Sequence, residues 1–424
     1  MADAPTPQAQ QSPPPRRISR SRKVASFLLL FAILGGAFFV GLELLFRFVV
    51  PVTDVAYMFW DPALGLRRIP NQAGRYMLGG HVNAAYRFNA QGWNHQRDYA
   101  TARRAGTRRI CLVGDSQVES LQVDPDKTMY AVAETLMSRP DRPVEWYAFG
   151  CSGWGTAHEY ECIRRYVLDY QPDLVVILFL QNDPFDCSPY ISALEPHGPR
   201  YSLSDADGLE FEYPQYFERS ALRRSVSRLA VVRYFWLQKR LVEKIKAALT
   251  GEVVKGVGQL PLREGIAAVR AGTRSGAGDL SDDERQRRTW MLIEKLLEAT
   301  RDACARRGAR LAVAFRGWTP EIEAARQGTE FKAPPGEKDP YCLSDRISEM
   351  GREWVGPICG RLDIPYLDLT TALIEAEKSS GRLHNFPDDN HYCEIGHAAA
   401  GKALADLAEK LLAESPRARV EAAR

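Results

Sequence analysis

Arg109-Ile110-Cys111-Leu112-Val113-Gly114-Asp115-Ser116-Gln117 is a short apolar run that opens on basic residues and stops at a glycine, an acid and a serine. Such a run reads as a buried strand. Downstream, Met129 to Met137 carries apolar residues at helical spacing. A strand–turn–helix context of this kind presents a serine hydroxyl at the edge of a sheet. The helix that follows supplies unpaired N–H groups and partial positive charge close to that hydroxyl.

Working outward, strands and helices alternate from Arg109 onward. The candidate strands are 109–113, 144–149, 174–180, 311–315 and 365–368; the candidate helices are 127–138, 157–170, 283–306, 344–361 and 395–412. Leu174-Val175-Val176-Ile177-Leu178-Phe179-Leu180 is apolar on both faces, as a parallel strand covered by helices on two sides must be. A doubly wound sheet is expected, with its site at the carboxyl ends of the strands. Residues 188–280 interrupt the alternation between the third and fourth strands. They contain an aromatic and basic stretch, 217–249, read as a helix, and then a Gly-rich segment. The interruption reads as a peripheral cover or as a wall over the site.

Upstream, residues 1–23 are rich in Pro and Gln and end in Arg16, Arg17, Arg20, Arg22 and Lys23, the composition of a disordered tail. Residues 24–50 form a transmembrane anchor: Ala25 to Leu42 carries no charge, and Glu43 and Arg47 lie one helical turn apart near the far end. The apolar run is too long for a signal peptide and no A-x-A-like cleavage site follows it. The basic cluster before it keeps the N-terminus cytoplasmic and exports the rest. Residues 51–107 read as juxtamembrane strands and turns, 108–416 as the main domain, and 417–424 as a tail.

With 424 residues, 45% apolar and 26% charged, the chain is long enough for one large α/β domain with additions. A net charge of +3, with arginines scattered rather than striped, argues against nucleic acid as a partner. The eight cysteines form no CxxC and no Cys/His ladder. Cys187 and Cys393 each follow a strand-end block and are the candidate disulfide pair.

Four strand-end blocks carry the chemistry: Asp115-Ser116, Gly150-Cys151-Ser152-Gly153, Gln181-Asn182-Asp183 and Pro387-Asp388-Asp389-Asn390-His391. Acyl transfer needs these parts. A serine is too weak an acid to attack an ester unaided, so a histidine must take its proton and a carboxylate must orient that histidine. Aimed donors must hold the oxyanion.

The pattern resembles the SGNH (GDSL-type) hydrolase superfamily, whose blocks match Ser116, Gly153, Asn182 and the pair Asp388/His391 in order. Asn89-Ala90-Gln91-Gly92-Trp93 also resembles its membrane-anchored bacterial branch. The resemblance implies a flavodoxin-like three-layer α/β/α sandwich with a five-stranded parallel sheet, here behind one transmembrane helix. It implies catalytic Ser116, Asp388 and His391, an oxyanion hole of Ser116, Gly153 and Asn182, and no cofactor or metal. The implied activity is a serine esterase removing O-acyl groups from an envelope or secreted polysaccharide. The place would be the bacterial inner membrane, with the domain periplasmic or extracellular. An O-acyltransferase and a non-catalytic glycan-binding scaffold are the alternatives, and the oligomeric state is not legible. Gln117 stands where the family has leucine, Gln181 where it has glycine, and Tyr392-Cys393 where Trp-Asn is common in the branch. Asp389 is the alternative orienting acid to Asp388, since some relatives use a D-x-H spacing.

Three further patterns are decoys. Gly150 to Trp154 nearly spells G-x-S-x-G, but the second glycine is misplaced, so Ser152 reads as a loop serine. Gly396 to Lys402 matches GxxxxGK, but Ala403 stands where Ser or Thr must follow, so nucleotide binding is rejected. Asp388, Asp389, His391, His397 and His384 do not put three ligands on one helical face, so a triad explains them better than a metal. His81, His95, His158 and His197 read as surface or loop residues.

Overall fold

The computed structural model describes residues 19–180, 182–191, 197–218, 220–250, 280–317, 354–387 and 389–414, with 322, 326 and 327 between them. Five parallel strands make the central sheet: β1 (Arg108–Gly114), β2 (Val144–Gly150), β3 (Leu174–Phe179), β4 (Arg310–Phe315) and β5 (Tyr366–Asp368). Their order across the sheet is β5-β4-β3-β1-β2. That is the flavodoxin-like doubly wound order, with its reversal between β1 and β3.

Every residue of β1 and β3 is buried, because alternate side chains feed two separate cores. Cys111, Val113, Val175, Ile177 and Phe179 point to one face, against Trp290, Ile293 and Leu297 of the helix Asp282–Arg306. Ile110, Leu112, Leu174, Val176 and Leu178 point to the other. There they meet Met129 and Ala133 of the helix Met129–Met137, and Leu404 and Ala408 of the C-terminal helix Glu394–Ala413. Each such aliphatic side chain contributes about 1.5–3 kcal/mol by leaving water. The basic residues that open β1 are neutralised locally: buried Arg109 donates from Nε (3.0 Å) and Nη2 (2.8 Å) to Glu145 on β2.

The helix expected over 157–170 is interrupted: it runs from Thr156 to Arg165 and tightens to a 3₁₀ turn over Val167–Tyr170. A helix over Thr370–Ser380, not read from the sequence, follows β5 and ends at Gly381 in the left-handed region (φ +67°). Of the helix expected over 344–361, Gly356–Arg361 is described and the residues before 354 lie outside the described set.

Upstream, the helix Arg20–Phe48 has no buried residue and a mean hydropathy of 2.4 over its most apolar window. Its 29 residues make a rod of about 40 Å, long enough to cross a bilayer. Two antiparallel hairpins follow, Met58–Asp61 with Gly65–Arg68 and Ala73–Leu78 with Val82–Arg87. The 188–280 interruption holds a third hairpin, Arg200–Leu203 with Leu209–Glu212. The stretch read as one helix over 217–249 is broken. Helical pieces at Ala221–Val226, Ala230–Val232 and Leu241–Thr250 flank a π-turn over Arg233–Gln238, and Arg240 takes φ +51° between the last two.

Seven of the eight cysteines are among the described residues, and all seven are free and buried. The candidate Cys187–Cys393 pair is therefore not formed. Cys187 packs with Tyr190 and Leu292 in a satellite core, while the Cys393 thiol donates to the Leu383 carbonyl at 3.1 Å.

Candidate active site

β1 ends on Gly114, and Asp115 caps the single helical turn Ser116–Glu119 by accepting from the Gln117 N–H at 2.8 Å. Ser116 is therefore the first residue of a helix, where backbone N–H groups have no intrahelical partner. This turn presses on the end of β2: a Cβ on Gly150 would lie 2.3 Å from the Glu119 backbone nitrogen. Only glycine lets the two segments approach so closely.

The Ser116 hydroxyl lies 2.7 Å from His391 Nε2, across 275 residues of chain. His391 Nδ1 lies 2.5 Å from Asp389 Oδ1. Asp388 lies outside the described residues, and the carboxylate on the ring is that of Asp389, two positions before the histidine. The turn explains the spacing. Phe386 N–H donates to the His391 carbonyl (3.1 Å) and Asp389 N–H to the Phe386 carbonyl (3.2 Å), which folds Asp389 beneath the imidazole.

Gln117, a departure with no evident consequence in the sequence, grips this turn with both ends of its amide. Nε2 donates to the Asn390 carbonyl (2.9 Å) and Oε1 accepts from the Tyr392 N–H (3.1 Å). The two bonds flank His391. Arg316, at the end of β4, donates to the same Asn390 carbonyl at 3.0 Å.

Gly153 and Asn182 reach the same edge of the sheet. Gly153 has φ +81°, a conformation that strains any residue with a Cβ. The Asn182 amide donates to Asp186 Oδ2 at 2.7 Å and, at a longer 3.3 Å, to Asp115 Oδ2. Serine, histidine, carboxylate and asparagine thus meet beside the point where strand order reverses, and the loop that carries Gly153 leaves β2 at the same edge. The fold is a doubly wound α/β sandwich with the flavodoxin-like strand order.

No family model and no curated protein matches the sequence. Solved structures do. The lipase/acylhydrolase from Enterococcus faecalis is 12% identical, with 70% of this chain and 94% of that one covered and a TM-score of 0.31. A catalytic mutant of an acetylxylan esterase from Geobacillus stearothermophilus is 13% identical over 71% and 93%, with a TM-score of 0.33. A member of the lipolytic G-D-S-L family from Veillonella parvula is 10% identical over 70% and 97%, with a TM-score of 0.33. At these values the likeness adds no weight to the strand order and site geometry.

Around these site residues, those that the sequence did not single out are mostly buried charges. Arg68, from the first hairpin, donates Nε and Nη2 to the two oxygens of buried Glu119 at 2.5 and 3.0 Å. Glu119 in turn accepts from the backbone N–H of Ser152 at 3.2 Å and from its hydroxyl. Ser152, the decoy nucleophile, is thus a tie that holds the loop leading into Gly153. The hairpin beyond the N-terminal helix braces the serine turn and the glycine loop together.

Buried Asp115, Glu159 and Asp183, with half-buried Asp186, form a group of carboxyls beside Asn182. Burial pushes Asp186 up to about 7 against the opposing hydrogen bond from Asn182, and burial likewise raises Asp115. Burial raises Glu159 and Asp183 well above the carboxylate range, and Asp183 is raised further by Glu159. Neither Glu159 oxygen has a hydrogen-bond partner among the described residues. Glu159 is thus neutral in the folded chain where it ionises in the unfolded one. A group raised on folding stabilises below its unfolded pKa, and that stability is lost as pH rises towards the folded one. Glu159→Gln is therefore expected to raise Tm at pH 8 and to leave it nearly unchanged near pH 4. Thermal melts of both proteins across that range check the sign.

Three other histidines are structural. His95 is buried, not a surface residue, and burial lowers it to about 3. His397 Nδ1 accepts from the Met129 N–H at 3.2 Å, and His384 Nδ1 sits 2.6 Å from Glu377. Gly396 to Lys402 is the start of the C-terminal helix.

Proposed function

We propose that the chain is a membrane-anchored serine esterase of SGNH type. It removes O-acyl groups, acetyl above all, from an envelope or secreted polysaccharide. The observation that carries this reading is the Ser116–His391–Asp389 relay, with contacts of 2.7 and 2.5 Å. Asp389 holds Nδ1 protonated, which leaves Nε2 free to take the Ser116 proton as Oγ bonds to the ester carbonyl carbon. The oxyanion is held by the N–H groups of Ser116 and Gly153 and by the Asn182 amide, which exchanges its long contact to Asp115 for the substrate. A single such donor is worth roughly 10²–10³ in rate. Collapse breaks the C–O bond, and His391 returns its proton to the departing sugar oxygen. Water, deprotonated by the same ring, then attacks the acyl-serine, releasing the acid and restoring Ser116.

The anchor supports the compartment. Basic residues precede the Arg20–Phe48 helix, which favours a cytoplasmic N-terminus and an exported domain. Buried thiols suit an oxidising compartment, because burial keeps them out of reach of oxidants and holds Cys151 and Cys187 protonated. The test is acetate release from an O-acetylated polysaccharide by the full chain, with Ser116→Ala as control. Release in water without a glycan acceptor supports hydrolysis, and release that requires an acceptor supports transfer.

Gln117 positions His391 in this scheme. Gln117→Leu removes both bonds to the turn and is expected to lower kcat about tenfold with KM little changed, because small misplacements of a catalytic group are costly. Steady-state kinetics on p-nitrophenyl acetate separate the two constants.

A further inference from the structure

The broken segment over residues 220–250 is fastened to the far end of the N-terminal helix. Glu43 accepts from the N–H groups of Ala230 (3.0 Å) and Val231 (3.1 Å), and Arg47 donates to the Arg228 carbonyl at 3.2 Å. The Phe46 ring centroid lies 4.5 Å from Tyr234 and 5.5 Å from Phe235. Just beyond the helix, Gln238 accepts from the Thr53 N–H at 3.0 Å and Arg233 pairs with Asp54 at 2.7 Å. These contacts set the segment level with the last two turns of the apolar rod.

At that level the segment leaves large apolar side chains uncovered. Trp236 is 51% exposed, Val242 56%, Ile245 50% and Leu249 82%. Leu241, Ile245 and Leu249 follow at intervals of four, one face of a helix. A soluble surface scatters such residues singly, and a contiguous set marks an interaction site. Residues 220–250 also carry eight Lys or Arg and a single Glu. Apolar residues on one face with a basic excess are the composition of a helix that lies in the headgroup region of an anionic bilayer.

We infer that residues 230–250 form an interfacial foot whose apolar face sinks into the outer surface of the same bilayer that the N-terminal helix crosses. The occupant follows from continuity, since the uncovered face begins where the lipid-facing surface of the rod ends. The second hairpin links the foot to the site: the Gly79 N–H donates to the Gln238 carbonyl at 2.9 Å, and Tyr86 of the same hairpin packs with Leu121, just beyond the serine turn. The foot therefore holds the catalytic edge at a fixed height over the membrane, and selects glycan that passes close to the lipid surface. This inference rests on reading the N-terminal helix as an anchor.

The test uses the full chain in phosphatidylethanolamine–phosphatidylglycerol vesicles doped with an acyl-chain diazirine lipid, followed by irradiation and peptide mapping. Adducts are expected on peptides from both 20–48 and 230–250, the latter about tenfold above the exposed helix 370–380. The double variant Ile245→Glu with Leu249→Glu changes two exposed positions and is expected to lower adducts in 241–250 about tenfold while leaving 20–48 unchanged. Adducts on 20–48 alone overturn the foot and spare the anchor. Adducts on neither overturn both, and equal labelling of the double variant overturns the apolar face as the lipid contact. Crosslinking of 230–250 to a protein in native membranes, with no lipid adduct there, also overturns it.

Discussion

Ser116→Ala is expected to lower ester turnover by about 10⁴–10⁶-fold, while leaving thermal stability close to that of the native chain. The loss is large because the hydroxyl forms the covalent bond, and the imidazole and oxyanion donors then act only on bound water. Residual activity measures what those donors do unaided. Stability is spared because the hydroxyl is half-buried and bonds to His391 and, at 3.4 Å, to Asp115. Kinetics on p-nitrophenyl acetate and a melt of the same sample read both quantities.

The second large effect distinguishes two adjacent carboxylates. Asp389→Asn is expected to lower kcat about 10⁴-fold, and Asp388→Asn to leave it within about threefold. The asparagine amide would donate to Nδ1, which forces the ring proton onto Nε2 and leaves no base facing the Ser116 hydroxyl. Asp388 is the residue that the family spacing nominates, so equal losses in the two variants would contradict the relay described here. Measurement at several pH values separates a lost base from a displaced loop, because a lost base removes the acidic limb of the kcat profile.

Much of the architecture was legible because burial on two faces leaves a plain mark. The runs at 109–113 and 174–180 have no polar position to spare, and both became central strands of the parallel sheet. The block ends were legible for the same reason: a chain leaving the carboxyl edge must turn, and it turns at Gly114 and Gly150. The helix at 370–380 went unread because it follows a strand of three residues, too short to announce a change of period. The break in 217–249 went unread because Arg240 adopts a left-handed backbone that no residue type there demands.

The site was legible in its residue types and not in its fine choice. Whether the acid two or three positions before His391 faces the ring depends on a turn closed by Phe386 and His391, which spacing does not encode. The Gln117 clamp spans 273 and 275 residues to its two partners, so nothing local signals it. The Arg68–Glu119–Ser152 tie is illegible for the same reason, since its three members lie in a hairpin, a helical turn and a loop. The proposed disulfide failed because Cys187 packs into a satellite core while the Cys393 thiol bonds to the Leu383 carbonyl.

The most direct measurement is to react the full chain with a fluorophosphonate and locate the adduct by mass spectrometry. The geometry predicts a single phosphonyl group on Ser116, absent in His391→Ala, where nothing takes the serine proton. An unlabelled native chain, or an adduct on Ser152 or elsewhere instead of Ser116, would contradict the account.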